Sequence, residues 1–301
     1  MKHIHSIFTL ILLLTLSFSG RAQQQGSNTQ FMFNQLPVNP AYAGIHSNVQ
    51  LDLNVREQWL RLDGAPSTQL LSVHGAHLKK PISFGGTLMR DEIGLTSQYR
   101  LNFAFAYRIH TSYDSELSFG MQVGLLSHQT DFSEGDLSDP TLSGASQSMI
   151  SPTLGVGILW HSPKYYLGLG VPQILQLDFD MTNEAVVNDI RHYYATAGLI
   201  HEINANLHFK PNMMLRLTET GQYQLDVNLS FLLDQKLWLG TTYSHENQVS
   251  VIMSYRFTER FQAGYSYDHP IGNQALNGSH EIQLSYRMKR QKYERLNPVF
   301  F

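Results

Sequence analysis

The chain of 301 residues contains no cysteine, which excludes disulfide bonds, thiolate metal sites and lipoprotein anchoring through a cysteine. Charged residues are scarce, at 15% of the sequence, and the 21 Lys and Arg do not exceed the 24 Asp and Glu. Without a basic excess, nucleic acid is not an expected partner. The chain is instead rich in Gly (22), Tyr (15) and Phe (16), which favours strands over helices.

Long apolar runs are also lacking, except for a short one near the N-terminus. There, Lys2 precedes an apolar stretch over residues 7–18. At about twelve residues, this stretch is too short to span a hydrocarbon core of about 30 Å. Gly20 and Ala22 are the small residues that a signal peptidase reads, so the sequence predicts a signal peptide over residues 1–22. We therefore expect an exported protein without a membrane-spanning helix.

Apolar and polar residues alternate through most of the remaining chain, which is the period of a strand. The clearest case is residues 223–231, where Tyr, Leu, Val, Leu and Phe alternate with Gln, Asp, Asn and Ser. Most of the predicted strands approach the roughly nine to eleven residues that a tilted strand needs to cross a bilayer. The pattern predicts about fourteen strands, near 49–57, 68–77, 82–90, 99–109, 117–128, 153–161, 164–171, 193–201, 205–216, 223–232, 236–243, 248–257, 260–268 and 280–289.

Two architectures can use such strands. A soluble sandwich or lipocalin-like barrel points its large apolar residues inward, whereas a membrane barrel points them at lipid and its polar residues at the lumen. Both have period two, so periodicity alone leaves the choice open.

Three further features favour the membrane barrel. The polar face is rich in Gly, Ser, Asn and Gln but poor in the charges of a soluble surface. Many tyrosines fall near strand ends, as in the aromatic girdles of outer-membrane barrels. Short connections alternate with long ones, at 129–152, 172–192 and 269–279. We therefore expect an all-β outer-membrane barrel of about fourteen antiparallel strands over residues 49–289.

The sequence offers no assignable catalytic, metal or cofactor site. His74 and His77 should point to opposite faces of one strand, so they cannot share a metal ion. The acidic segment 131–139 could hold calcium, but its spacing does not match the twelve-residue calcium loop, which favours a solvated loop. The Gly-x-Gly pairs at 155–157 and 168–170 precede no helix and are interpreted as strand glycines at bends or beside a crowded lumen neighbour.

Several segments go beyond the barrel pattern and follow one another in a definite order: 30–34, 39–44, Arg56, 58–59, 63–69, 91–94 and 279–284. In this order and spacing they closely resemble the PorP/SprF family of Bacteroidetes outer-membrane proteins, which belong to the type IX secretion system and the gliding machinery. The resemblance covers essentially the whole mature chain.

This resemblance implies a non-enzymatic outer-membrane barrel that supports secretion or surface attachment of proteins with a C-terminal secretion domain. Those proteins, periplasmic or peptidoglycan-linked components of the machine and outer-membrane lipid are the implied partners. The family supplies no catalytic residue and no cofactor. A channel for small hydrophobic or polar substrates, of the fatty-acid-transporter type, stays open as the alternative, because fourteen strands enclose a sizeable lumen.

Partner contact is assigned to Arg56, Trp59, Arg61 and Asp63, in and beside an external loop over 57–68, because an exposed Trp flanked by Arg is a common hot-spot composition. A second set of signature residues is expected to be structural: Asn39, Pro40, Tyr42, Gly44, Gly64, Pro66, His280 and Glu281.

Two segments flank the predicted barrel. Residues 23–48 are expected to form either a periplasmic segment or a plug in the lumen, and the sequence leaves both possibilities open. Residues 290–301 are expected to form a C-terminal periplasmic tail, whose basic residues suit a periplasmic partner.

Overall fold

The computed structural model describes residues 28–46, 48–131, 147–175, 180–181, 185–186, 190–245, 248–271 and 277–288. Within them, His192–Leu199 and His201–Asn204 pair with the same neighbour and count as one strand. On that count the main sheet has fourteen strands: β1 (Gln50–Glu57), β2 (Ser67–Ala76), β3 (Ile82–Ile93), β4 (Thr96–Ser112), β5 (Ser115–Thr130), β6 (Gln147–His161), β7 (Tyr165–Val171), β8 (His192–Leu199 with His201–Asn204), β9 (Leu207–Thr218), β10 (Tyr223–Leu233), β11 (Leu237–Ser244), β12 (Gln248–Arg256), β13 (Phe261–Pro270) and β14 (Ser279–Arg287).

The sheet closes on itself. Each strand pairs antiparallel with its neighbours in sequence, and β1 also pairs with β14, so that Leu53 lies opposite both Leu71 and Leu284. A two-residue ladder between 180–181 and 185–186 is separate from this sheet. The described strands therefore form a closed antiparallel barrel, which confirms the predicted fold class.

The two faces of the wall differ as a membrane requires. Outward positions carry large apolar side chains, such as Phe103 with 60% and Val251 with 62% of its surface exposed. Inward positions carry buried polar side chains, such as Ser72 and Asn228. A soluble barrel would have the opposite arrangement, so the soluble alternative is rejected.

The connections give the barrel two distinct ends. At the first, which we call the turn end, short turns join the strands: 77–81, 113–114, 162–164, 205–206, 234–236 and 257–260. The second, the loop end, includes the long connections 58–66, 131–146, 172–191 and 271–278. Outer-membrane barrels place short turns in the periplasm and long loops outside.

Some strands are longer than their apolar alternation predicts. β4 and β5 were expected over 99–109 and 117–128, but they extend to Thr96 and Thr130 at the loop end. The added residues are polar, and the hydroxyls of Thr96 and Thr130 are hydrogen-bonded across the pair at 3.3 Å. Backbone pairing continues here, although the side chains no longer alternate between apolar and polar.

Several predicted segments fall outside the described residues. They are the signal peptide over 1–22, the tail over 290–301 and all of the acidic segment 131–139 except Asp131. Among the residues that the structure describes, no helix has the length and apolar character to cross a membrane. The main helical element there is one 3₁₀ turn, Pro40–Tyr42.

Candidate functional site

The interior of the barrel contains part of the chain itself. Residues 28–46, which we call the lumen segment, are nearly all buried. Thr29 contacts Asp268 near the loop end, and Gly44 contacts Arg108 and His74 near the turn end. The lumen segment therefore runs through the lumen from the loop end to the turn end, opposite in direction to β1, which follows it.

An ionic cluster holds the lumen segment at the loop end. The Arg56 guanidinium donates to Asp268 and lies 3.3 Å from a Glu281 carboxylate oxygen, and all three side chains are almost completely buried. Glu281 also accepts hydrogen bonds from the backbone N–H groups of Thr29 (2.8 Å) and Gln30 (3.1 Å). Two carboxylates thus share one guanidinium, and one of them, Glu281, also binds the backbone amides of the lumen segment.

Thr29 completes this cluster. Its hydroxyl donates to Asp268 at 2.9 Å and accepts a hydrogen bond from Arg56 at 2.8 Å. Because Arg56, Asp268 and Glu281 lie on β1, β13 and β14, the cluster joins the lumen segment to three strands. Removing one partner of such a buried network leaves an uncompensated charge, which is strongly destabilising.

A row of glycines makes room for the middle of the lumen segment. Gly120, Gly157 and Gly170 face inward on β5, β6 and β7, and a Cβ on any of them would overlap residues 38–41. The Asn39 side chain donates to the carbonyl of Ile158 at 3.1 Å on the same wall. The Gly-x-Gly pairs are therefore strand glycines beside crowded neighbours. The neighbour is the lumen segment at Gly157 and Gly170, whereas Gly155 lies against Pro172 and Gly168 against Thr196 and Asn39.

The signature residues 39–44 form a compact turn against this row. The Asn39 side chain accepts from the N–H of Ala41 at 3.0 Å and caps the 3₁₀ turn, which Pro40 begins. Tyr42 is buried and donates to the carbonyl of Phe33 at 3.4 Å. Burial raises the pKa of the Tyr42 phenol, so this group stays neutral.

Gly44 ends this turn with a backbone that only glycine adopts easily. Its φ is +65°, and a Cβ would lie 2.7 Å from the Cβ of Ser83. Its carbonyl and that of Ala43 accept hydrogen bonds from the Arg108 guanidinium. The structural roles expected for Asn39, Pro40, Tyr42 and Gly44 agree with these contacts.

Aromatic residues pack the first half of the lumen segment. Phe33 meets Trp238 edge-on, with ring centroids 6.1 Å apart. The ammonium group of Lys210 lies 5.7 Å from the Phe33 ring and 5.3 Å from the Trp238 ring. Trp238 and Met214 are apolar residues that point inward, against the usual polarity of the lumen. Such exceptions to the alternation mark contacts with the lumen segment. These inward apolar residues can be recognised in the sequence, but the strand prediction did not identify them as contacts for the lumen segment.

The connection 58–66 forms a structured loop outside the barrel wall. Trp59 and Arg61 have positive φ values of 44° and 75°. The loop is bonded to the neighbouring connection, since Leu60 N–H donates to Gly278 O at 3.2 Å and Asn277 donates to Leu60 O at 2.6 Å. Leu60 and Leu62 are 41% and 50% exposed. The loop therefore displays apolar and charged side chains from a fixed backbone.

Three of the four residues assigned to partner contact lie in this loop. Arg61 and Asp63 are exposed, and Trp59 is half-buried. Arg56 does not belong with them, because its side chain points inward and is only 2% exposed. This corrects the assignment of Arg56 to a partner surface. Its guanidinium instead forms ion pairs with Asp268 and Glu281 inside the barrel.

The other signature residues take structural positions. Gly64 has a φ of +72°, and its carbonyl accepts from Gly94 N–H at 2.9 Å, which ties two connections together. Pro66 is buried at the end of the loop. His280 lies on the outer side of β14, where its Nδ1 is 2.6 Å from the Tyr265 hydroxyl. Glu281 belongs to the ionic cluster.

No group of three or more acidic or histidine side chains is placed to hold a metal ion within the described residues. His74 points into the lumen, while His77 is exposed beyond the end of β2. The two histidines are therefore separated, as their spacing predicts.

The class of protein follows from these features: an outer-membrane β-barrel with part of its own chain in the lumen. The solved structure of the CymD monoaromatic hydrocarbon channel matches with a TM-score of 0.53 and 12% identity, over 91% of this chain and 96% of that one. The toluene transporter TodX of Pseudomonas putida matches with a TM-score of 0.47 and 14% identity, over 84% and 93% of the two chains. At such identities the likeness concerns the fold alone.

No curated protein sequence matches the chain. The family of the type IX secretion system membrane protein PorP/SprF matches residues 20–286, and the chain belongs to this family. It is accordingly an outer-membrane protein of that secretion system.

Proposed function

We propose that the protein is a non-enzymatic barrel component of the type IX secretion system. It supports the secretion or surface attachment of proteins with a C-terminal secretion domain. The observation that carries this proposal is the occupied lumen. Residues 28–46 are bonded to the wall at both ends, so a cargo that passed through the barrel would first have to displace them. The protein would then act through partner contacts on the outside of the barrel, at its loops and turns, and not by passing cargo through its lumen.

The loop 58–66 is the proposed contact for cargo outside the cell. Non-glycine residues with positive φ cost about 1–3 kcal/mol each, and such strain is concentrated at binding and catalytic sites. Trp59 and Arg61 both have this conformation. With Asp63 and the exposed Leu60 and Leu62, they give a surface of aromatic, apolar and charged groups, a composition typical of binding hot spots.

Periplasmic components of the machine are the proposed partners at the opposite end. The short turns of the turn end and the tail 290–301 would face them. The end of the chain places Lys292 and Arg295 on either side of one acid, Glu294. A basic tail of this kind accelerates association with an acidic partner and makes it sensitive to salt.

The proposal is tested by comparing secreted proteomes of three strains. The first lacks the gene, the second carries Trp59→Ala with Arg61→Ala, and the third carries Tyr223→Ala as the control. Tyr223 is an exposed aromatic residue at the start of β10, five strands away from β1 and outside both proposed contact surfaces. A hot-spot residue contributes about 2 kcal/mol or more, so cargo affinity should fall by about 30-fold for one such residue and by up to about 1,000-fold in the double variant if the two losses add.

Three outcomes separate the parts of this proposal. Loss of proteins with C-terminal secretion domains in the deletion strain and the double variant, but not in the control, supports it fully. If these proteins are lost in the deletion strain but not in the double variant, the role in secretion stands and the loop 58–66 is rejected as the cargo contact. If the deletion leaves secretion intact and abolishes uptake of a small substrate, the protein is a channel, as CymD is a channel for monoaromatic hydrocarbons.

A further inference from the structure

The outer wall carries a concavity near the turn end of β2, β3 and β4. Its volume is about 370 Å³. It arises because two outward positions on adjacent strands are glycines, Gly75 and Gly86, where neighbouring outward positions hold large side chains. Gly75 lies opposite Phe84, and Gly86 lies opposite Val73 and Phe103. Val73, Phe84 and Phe103 thus project around a gap beside Gly86, while Val49 covers the position of Gly75.

The concavity is apolar and opens sideways toward the membrane. Phe84 and Phe103 are 55% and 60% exposed and form its rims, and Val49 and Val73 also line it. A Cβ on Gly86 would meet nothing nearer than 3.7 Å, so the space beside it is free. Hydrocarbon is the chemistry that fills such a space in a bilayer.

Basic residues lie directly beyond the turn end of this concavity. Lys79 and Lys80 are both exposed in the turn 77–81. The His77 ring accepts hydrogen bonds from both of their backbone N–H groups at 3.1 Å, which fixes the turn. At about 3.3 Å per residue, Gly86 lies roughly 13 Å from the start of β3 at Ile82, so one lipid can reach from the concavity to the turn.

We propose that this concavity, lined by Val49, Val73, Gly75, Phe84, Gly86 and Phe103, is a binding site for one glycerophospholipid of the periplasmic leaflet. An acyl chain occupies the space beside Gly86, and the phosphate lies against Lys79 and Lys80. The turn end faces the periplasm by the loop-length rule, so the phospholipid leaflet is the one that reaches it. Clustered lysines at a membrane surface attract anionic head groups.

A lipid fits this site better than a protein segment. A segment inserted in the hydrocarbon region would need all of its backbone groups paired internally, and the concavity supplies hardly any polar partners. A lipid has no such requirement. A bound phospholipid also explains why an apolar concavity lies next to a basic turn, because its acyl chain would fill the concavity and its phosphate would contact the lysines.

The test is native mass spectrometry of the full-length protein, extracted from its own membrane in a non-ionic detergent. The wild type should retain one phospholipid. Gly86→Leu fills the space, and Lys79→Gln with Lys80→Gln removes the charges. The double lysine variant should reduce retained phospholipid by about 25-fold, because each lysine at an anionic surface contributes about fivefold. Gly86→Leu should also reduce retention, because its side chain takes the place of the acyl chain.

Two variants serve as matched controls. Val251→Leu enlarges another outward side chain, and Lys236→Gln removes a lysine from another turn at the same end, so neither should change retention. Equal retention in all variants, or retention of lipopolysaccharide or detergent in place of phospholipid, overturns the proposal. If Gly86→Leu fails to assemble, the double lysine variant decides the question by itself.

Discussion

Gly120→Ala adds a single methyl group at a point where the barrel wall lies directly against the backbone of the lumen segment. The new Cβ would overlap the backbone of Pro40 and Ala41, and neither backbone can rotate away as a flexible side chain would. The 3₁₀ turn must therefore shift. Gly86→Ala is the matched control, because it adds the same group to the outward face of β3, where the nearest atom is 3.7 Å away.

The expected cost combines two effects. Overpacking in a filled interior costs about 1–3 kcal/mol. A shift of Ala41 also weakens the hydrogen bond that its carbonyl accepts from the Ser118 hydroxyl at 2.8 Å, which is worth about 0.5–1.5 kcal/mol. The lumen segment should thus be held less tightly by about 1.5–4.5 kcal/mol, which corresponds to a roughly 10- to 2,000-fold increase in its released population.

Hydrogen exchange measures this population directly. The N–H groups of Tyr42 and Ala43 are bonded to Asn39 and Pro40 within the turn, so they exchange when the turn is released. In Gly120→Ala their exchange should accelerate by the factor given above, while strand amides distant from the site keep the wild-type rate. Unchanged exchange in Gly120→Ala, or equal acceleration in Gly86→Ala, would refute the idea that these glycines accommodate the lumen segment.

Three other perturbations have definite expected outcomes. Arg56→Ala leaves two buried carboxylates without their cation and should lower the unfolding free energy by about 3–5 kcal/mol in urea titrations, whereas Arg90→Ala, in a half-exposed pair, should change it much less. Val227→Arg faces lipid near the middle of β10 and should cost about 2–4 kcal/mol, seen as loss of the heat-modifiable folded band; normal assembly would contradict its placement. Because the chain has no cysteine, Asp63→Cys and Lys79→Cys are unique labelling sites. An impermeant maleimide should label only Asp63→Cys on intact cells, and the reverse would invert the barrel.

The barrel itself could be predicted because each strand repeats the same simple pattern. In 223–231 the apolar residues fall on one face, and pairing in the structure keeps all of them outward. The alternation does not predict the full length of β4 and β5, whose ends continue beyond the apolar zone. Backbone pairing there does not require alternating apolar and polar side chains, so the sequence pattern cannot reveal it. The choice between soluble and membrane barrel came from the scarcity of charge and from the loop lengths.

For Arg56, the alternation along the strand predicts the burial of the side chain but not its ion-pair partners. The alternation that places Val55 outward also places Arg56 inward, so the burial of Arg56 follows from the same alternation. Its partners do not follow in the same way. Asp268 and Glu281 lie more than 200 positions away, and only the closure of β14 on β1 brings them to the same guanidinium.

The sequence by itself determined the period of the strands, their number and the polarity of each face, because these depend on residues two positions apart. The path of residues 28–46 through the lumen was decided only by the tertiary structure. Burial of this segment depends on glycines in three strands, an arginine in a fourth and carboxylates in two more, and these become neighbours only when the barrel closes. A plug and a periplasmic segment have the same local sequence signals. They differ in the long-range contacts that the closed wall supplies.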